Sequence, residues 1–399
     1  MGKNDKIDTK SKLDLENTKI AFSYKSNSEL IKTAYLFKLM NNPTLVKATT
    51  GLAMLGLKLK IPFTNFGIKN TIFPQFVGGE TLLDCQKTID LLNNYDTLTI
   101  LDYGAEGKTK ESDFDAVMLE NFKAIEMAAS NNSVPVISIK VTGLASNEIL
   151  EKINAGQKLT SAEEKAFEKS KERVDNICSK AEELGVGVFI DAEESWIQKP
   201  IDDIAIEMMK LYNKKKVIVY NTYQMYLQNK LDQLKSEHQI ALENNFFLGA
   251  KMVRGAYMDK ERSRAEEKGY PSPVQPDKAA TDNQFDEGVV YCVDNYETIG
   301  FCSATHNIKS NLLQAQLVDE RALDKTHSHI NFCQLYGMSD YITFNLADAG
   351  YNVAKYVPYG PVKEVIPYLI RRAEENSSVT GEMSRELNFI DQEIKRRKI

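Results

Sequence analysis

The stretch YNVAKYVPYGPVKEVIPYLIRRAEEN, Tyr351 to Asn376, reads as a strand, a turn and a helix in direct succession. An apolar run from Val353 to Val357 enters a Pro-Tyr-Gly-Pro turn. Pro361 stands where a proline opens a helix, because its fixed φ suits the first turn and its missing N–H forfeits no bond there. In that helix Tyr368, Arg371, Arg372 and Glu375 fall at i, i+3, i+4 and i+7 and share one face. Two adjacent guanidinium forks suit a bound carboxylate or phosphate. A solvated Arg/Glu face with an aromatic filler is the plainer alternative, and the segment alone leaves both open.

The same unit recurs upstream. Short β-rich runs lie at 98–104 (LTILDYG), 134–143 (VPVISIKVTG), 186–194 (VGVFIDAEE), 216–224 (KVIVYNTYQ), 247–257 (FLGAKMVRGAY), 301–307 (FCSATHN) and 330–338 (INFCQLYGM), so that 351–360 is the eighth. Between them, segments such as FDAVMLENFKAIEMAA and IDDIAIEMMKLYN carry the i, i+3, i+4 apolar spacing of helices. Strands alternating with helices argue for a parallel sheet, and eight such units argue for a closed (β/α)8 barrel. A doubly wound open sheet fits less well: no GxGxxG follows an early strand, and every strand ends in polar residues.

In a barrel the C-terminal strand ends converge on one mouth. Those positions here are Asp102 and Glu106, Lys140, Asp191 with Glu193 and Glu194, Tyr223 with Gln224, Lys251 with Arg254 and Tyr257, Thr305-His306-Asn307, Gln334 and Tyr356, joined by Arg371 and Arg372. Two connections are long. The proline-broken insert after Tyr257 is expected to form a lid or a cofactor shelf at the rim. In the second connection GQKLTSAEEKAFEKS reads as a mobile excursion followed by a helix that starts at Thr160 or Ser161. Ahead of the barrel, residues 28–60 have helical texture broken at Asn41–Pro43, which predicts two or three helices forming an arm. The lysine-bearing segment GLAMLGLKLKIPF within it is expected to pack on the main domain rather than on a membrane surface.

Composition narrows the chemistry. The formal charge of −6 over 399 residues does not favour nucleic acid. Five cysteines, odd in number and without a CxxC pair, point to a reducing compartment. The N-terminus has no apolar signal core, Met1-Gly2 is not followed by the hydroxyl residue that myristoylation wants at position six, and no apolar run is long enough to span a bilayer, so a soluble or peripheral chain is expected. With four histidines, a metal site is not expected: His238 reads as solvated on a charged helix, and His327 and His329 lack a placed partner ligand. No GxSxG elbow and no Walker A sequence are present. What remains is a cationic mouth suited to an anionic substrate or cofactor, with Lys140 readable as a Schiff-base lysine of an aldolase or lyase, or the whole as a redox site with a bound cofactor. A non-catalytic binding barrel is the third reading.

ISIK (137–140), IDAEE (190–194), KMVRGAY with a trailing ER (251–262), ATHN (304–307), YVPYGP (356–361) and YLIRRAEEN (368–376) resemble, in the same order, the signature blocks of the proline dehydrogenase family. The resemblance implies a distorted (β/α)8 barrel with non-covalent FAD. The activity it implies is oxidation of L-proline to Δ1-pyrroline-5-carboxylate by hydride transfer from ring C5 to flavin N5, with a quinone reoxidising the flavin. It assigns Lys140, Arg371 and Arg372 to the proline carboxylate, Asp191 to orienting the lysine and a tyrosine, and Tyr257, Tyr356 and Tyr368 to the ring pocket. Glu106 resembles the first-loop carboxylate that pairs with one of the two arginines and closes the site. For the flavin it implies Gln224, Lys251, Arg254, Thr305, His306, Asn307 and Glu375. A tyrosine at 356, where relatives that prefer hydroxyproline carry a smaller residue, implies proline as substrate.

Two departures concern the cofactor: Lys251 stands where many bacterial relatives carry arginine, and Met258 where they carry tryptophan. The expected organisation is a helical arm (1–79), a barrel (80–376) and a helical tail (377–399). The expected partners are L-proline, a membrane quinone pool and a separate pyrroline-5-carboxylate dehydrogenase that receives the product. The expected place is the cytoplasm, with peripheral contact to the inner membrane through either the arm near 51–63 or the basic tail LNFIDQEIKRRKI at 387–399.

Overall fold

The computed structural model describes residues 13–58, 64–378 and 382–399, without the side chains of Pro43, Lys47, 53–58, Thr64, 373–378, 382 and 383. Eight parallel strands close into a barrel in sequence order: β1 (Leu98–Tyr103), β2 (Val136–Lys140), β3 (Gly187–Asp191), β4 (Val219–Gln224), β5 (Leu248–Val253), β6 (Ile299–Ala304), β7 (Ile330–Leu335) and β8 (Val353–Tyr359). β8 completes the ring by pairing with β1, Ile100 opposite Tyr356. All eight expected strands are present.

Alternation along each strand sorts side chains between two cores. Ile100, Phe189, Tyr220, Cys302, Cys333, Ala354 and Tyr356 fill the barrel interior. The opposite faces, such as Ile137, Ile139, Val188 and Ile190, pack under the surrounding helices in one large apolar layer. The same alternation turns Tyr223 outward, where its hydroxyl bonds Glu237, so it is not part of the mouth as its place at a strand end suggested. His238 is also not solvated: it is 2% exposed, and its two ring nitrogens bond Tyr291 Oη at 2.8 Å and Thr298 Oγ1 at 2.9 Å. The charged residues beside it line the outer face of the helix Lys230–Glu243, while His238 faces inward.

The helix Ser161–Leu184 begins where the Thr160 side chain and Glu163 cap each other, as the sequence indicates. The rim insert is more regular than its prolines suggest. Its second half is the helix Lys278–Asp294 that links β5 to β6. Its first half adds the helix Met258–Lys268, pinned where Ser195 N and Oγ donate to the buried Glu261 at 2.7 and 2.5 Å.

The arm comprises Thr18–Ala21, Asn27–Met40, Pro43–Lys58, Thr64–Asn70 and Phe73–Phe76, with the expected break at residues 41–42. It packs on the helix that follows β8, Val362–Ser378, here termed the clamp helix. Gln75 Nε2 donates to Gly337 O at 2.7 Å. Gly337 sits at φ +77°, and a Cβ there would lie 1.7 Å from Gln75 O, so this approach of arm to barrel requires glycine. Residues 59–63 of the GLAMLGLKLKIPF segment lie outside the described residues. The tail helix, Glu382–Arg397, buries Phe389 and Ile390, and Arg397 donates to the carbonyls of Phe22 and Lys25 at 2.7 Å. Its apolar face therefore closes over the protein.

Candidate active site

The register places Lys140, the last residue of β2, directly beside Asp191, the last of β3. Lys140 Nζ donates to both carboxylate oxygens of Asp102 at 3.0 and 3.1 Å, and lies 3.5 Å from Asp191 Oδ2 and from Tyr356 Oη. Asp191 is the hub. It accepts from Lys251 Nζ at 2.5 Å and from Tyr356 Oη at 2.6 Å, while the Lys251 ammonium sits 4.4 Å from the centre of the Tyr356 ring. Two buried carboxylates thus balance the buried ammonium of Lys251 and the largely shielded one of Lys140, and each charge has the hydrogen bonds that make its burial tolerable.

Burial works to raise the Asp191 pKa, but the charges of Lys251 and Lys140 outweigh it and hold this carboxyl well below its usual range. Burial dominates at Asp102 and pushes it up, so Asp191 is the firmer anion of the two. For Lys140, burial favours the neutral amine, yet Asp102, Asp191 and Glu106 overcome it and raise the pKa above the ordinary lysine value. A Schiff-base lysine needs the opposite shift, so this geometry opposes the aldolase reading.

Across the mouth, the clamp helix reaches back to the first loop. Arg371 donates bidentately to Glu106 at 2.7 and 2.9 Å, a fork-to-fork pair between β8's helix and β1's loop. That pairing and the attraction of Lys140 keep Glu106 ionised against its burial. The Arg371 guanidinium lies 5.7 Å from the Tyr257 ring and that of Arg372 lies 5.4 Å from the Tyr368 ring. Burial raises the pKa of the Tyr257 and Tyr356 phenols far above 10, so both stay neutral.

A second group lines β4 to β7. Gln224 Nε2 donates to Glu193 O at 2.7 Å, and Glu193 in turn accepts from Thr142 N at 3.0 Å and from its hydroxyl, burial lifting its pKa to about 7. Arg254 is spread over Asp282, Thr305 Oγ1 and Ser310 Oγ at 2.7, 2.5 and 2.9 Å. His306 Nδ1 pairs with Ser339 Oγ at 2.9 Å, and burial together with Lys355, Arg372 and Arg254 drops its pKa to about 3, so its ring is neutral. Asn307 caps the helix Ile308–Glu320 by accepting from Lys309 N and Ser310 N. The Glu375 side chain lies outside those described.

The structure therefore joins Lys140, Asp191, Lys251 and Tyr356 in one cluster, Glu106 to Arg371, and Arg254 to Thr305. It also assigns contacts that the motifs divided differently. Lys251, given to the flavin by resemblance, is Asp191's nearest lysine, and the principal partner of Lys140 is Asp102. The sequence carried a signal for Asp102: a carboxylate at a strand end, two residues along from the inward Ile100, beside a strand ending in lysine.

A family model described as "Proline dehydrogenase" matches residues 85–385. "Proline dehydrogenase 1, mitochondrial" of Dictyostelium discoideum is 34% identical over 97% of this chain and 75% of its own length. The protein of the same name from Drosophila melanogaster is 41% identical over 59% of this chain and 36% of its own length. Among solved structures, proline utilization A from Bdellovibrio bacteriovorus aligns with a TM-score of 0.75 at 19% identity, over 93% of this chain and 42% of that one, a likeness of fold. The chain thus spans most of the Dictyostelium protein but less than half of the other two. With a family model covering the barrel and a relative aligned along nearly the whole chain, the protein belongs to the proline dehydrogenase family.

Proposed function

We propose that the protein oxidises L-proline to Δ1-pyrroline-5-carboxylate with FAD, the first step of proline catabolism. The observation that carries this reading is the pairing of a compact, charge-balanced cluster around Asp191 and Tyr356 with two adjacent arginines of the clamp helix, one of which, Arg371, is tied to Glu106 at the same mouth.

In this reading Lys140, Arg371 and Arg372 hold the proline carboxylate. Their task is positioning: one end of a small zwitterion is fixed so that ring C5 has one orientation. Asp191 holds Tyr356 and Lys251 in place, and Tyr257, Tyr356 and Tyr368 wall the ring. The Arg371–Glu106 pair closes the mouth over it and keeps water out. The groups along β4 to β7 fit FAD by their chemistry, since Gln224, Lys251, Arg254, Thr305, neutral His306 and Asn307 combine cations with neutral hydrogen-bonding groups, and the family resemblance adds the carboxylate of Glu375 from the clamp helix. Bound there without a covalent link, FAD supplies a two-electron acceptor for the hydride from C5 as the ring nitrogen gives up its proton. Lys251 and Arg254 would offer positive charge to the cofactor in its reduced, anionic form.

The reading extends to a membrane quinone as final acceptor, to a cytoplasmic place with peripheral membrane contact, and to release of the product to a separate pyrroline-5-carboxylate dehydrogenase. It also divides the chain into an arm (1–79), a barrel (80–376) and a tail (377–399). Among the described residues no helix is long and apolar enough to cross a membrane. The test is product chemistry. With L-proline and a soluble dye acceptor, the FAD-loaded protein should form an imine trapped by o-aminobenzaldehyde. Absence of that adduct, or borohydride trapping of a carbonyl substrate on Lys140, would replace the reading.

A further inference from the structure

The arm differs from the rest of the chain in charge and in what it exposes. Between Tyr24 and Phe76 lie seven lysines (25, 32, 38, 47, 58, 60 and 69) against a single acid, Glu29, in a chain whose formal charge is −6. Glu29 is already committed to capping the helix Asn27–Met40 through Ser26. That helix is amphipathic in an unusual way. Leu30, Ala34, Phe37 and Met40 are buried, yet Ile31, Tyr35 and Leu39, spaced by four along one stripe, are 37, 67 and 54% exposed. Lys32 and Lys38 flank the stripe and are exposed with it. Leu45, Leu52 and Phe66 on the next two helices are exposed as well. Of the fourteen large apolar side chains exposed among the described residues, six fall in this one short segment, whereas scattered single exposures are ordinary.

We propose that this arm is a docking surface for an anionic lipid membrane. Charge complementarity selects that occupant, because a basic rim around exposed aliphatic and tyrosine side chains is what the headgroup and upper acyl region of such a bilayer accept. Among the described residues the counter-charges are few: Asp391 of the tail helix lies 3.8 Å from Lys38, Glu80 pairs with Lys69, and half-buried Lys25 faces the charges of Asp340, Glu29 and Glu386. The basic tail does not compete for the role, since Phe389 and Ile390 are buried and Arg396 and Arg397 are bonded to Glu393 and to backbone carbonyls. Position gives the surface its use. The arm helices pack on the clamp helix, and Gln75 grips the loop after β7, so docking holds the mouth of the barrel at the lipid surface. This use rests on the proposed quinone acceptor, which is confined to the bilayer, whereas the binding itself does not.

The test uses the full-length, FAD-loaded protein and sedimentation with vesicles of phosphatidylcholine alone or with about one third phosphatidylglycerol. The wild type should bind the anionic vesicles and not the neutral ones. Two variants at exposed positions, Ile31→Ser/Tyr35→Ser/Leu39→Ser and Lys32→Glu/Lys38→Gln, should each weaken binding about tenfold or more. Both should keep wild-type turnover with a soluble dye and lose turnover with a long-chain quinone carried in the vesicles. Lys398→Glu on the tail should behave as wild type. Failure of the wild type to bind, or unchanged binding by both arm variants, would overturn the proposal. So would a shift from dimer to monomer in the apolar variant without vesicle binding by the wild type, which would make the stripe a subunit contact. If vesicle binding follows the arm but L-proline gives no turnover with any acceptor, the docking surface stands and the proposed function falls.

Discussion

Replacing Asp191 with asparagine removes a charge without changing shape, and the consequences can be worked from its contacts. Asp191 is 8% exposed and accepts from Lys251 at 2.5 Å, Tyr356 at 2.6 Å and Lys140 at 3.5 Å. An amide has one acceptor oxygen to offer these three donors, and the cluster is left with two ammoniums and only Asp102. Removing one partner of a buried ion pair costs about 3–5 kcal/mol, because the other charge stays buried without its counterion. The unfolding constant should rise by about two to four orders of magnitude, and the urea midpoint should fall by about 1 M for an m-value near 3 kcal/mol/M or above. The sign with pH follows from the same charges. Asp191 titrates below its unfolded value, so its stabilisation is fully present above about pH 4 and is lost as pH falls through the lower folded value. In the variant a stranded lysine has a lowered pKa, and its penalty disappears as pH rises toward about 10, the unfolded lysine value. The gap between the two proteins should therefore be open at pH 7 and narrow in alkali. A gap under about 1 kcal/mol at pH 7, or one that does not change up to pH 10, would refute the cluster as an ion-paired unit.

Three further outcomes are expected. Arg371→Ala and Arg372→Ala should each raise the proline KM about ten- to a hundredfold, as a charge-assisted bond of about 1.5–3 kcal/mol implies, with flavin content retained; equal loss of flavin would assign them to the cofactor. Tyr356→Ser should lower turnover, because the 2.6 Å bond to Asp191 is lost, while raising kcat/KM for hydroxyproline relative to proline; an unmoved ratio would remove Tyr356 from substrate choice. Glu386 accepts from Ser339 N at 2.7 Å with its pKa lifted to about 8 by burial. The native state then keeps a proton that the unfolded chain releases near pH 4.5, so stability falls as pH climbs from there to about 8. Thermal midpoints at pH 5 and 8.5 should show that Glu386→Gln removes that decline, worth on the order of 4 kcal/mol at most over the three pH units up to 8.

The barrel was legible because its signal is repeated. Eight runs of β-rich residues, each ending in polar side chains, force one topology even where single boundaries shift by two or three residues. Contacts were legible where residues share one element or one motif, as with Tyr368 and Arg372, whose ring and guanidinium meet on one helix face. They were less so where partners come from different strands. Lys140 and Asp102 are 38 positions apart, and their pairing depends on which face of each strand points inward. Tyr223 and His238 were misread for the same reason, because a strand-end tyrosine and a helical histidine each look different once the facing element is known. Lys355 shows the limit. It lies in the middle of β8, is 1% exposed, and is paired with Asp340 at 2.9 Å, while Asp340 also accepts from Tyr24 Oη at 2.5 Å. No local pattern announces a buried lysine whose counterion also takes a bond from the start of the arm.

The proposed function requires that L-proline deliver electrons to a flavin held by this chain. The purified protein, loaded with FAD, should be yellow, and anaerobic addition of L-proline should bleach the flavin absorbance with saturation. A protein that cannot be loaded with FAD, or whose bound flavin keeps its full absorbance at saturating L-proline, would contradict it.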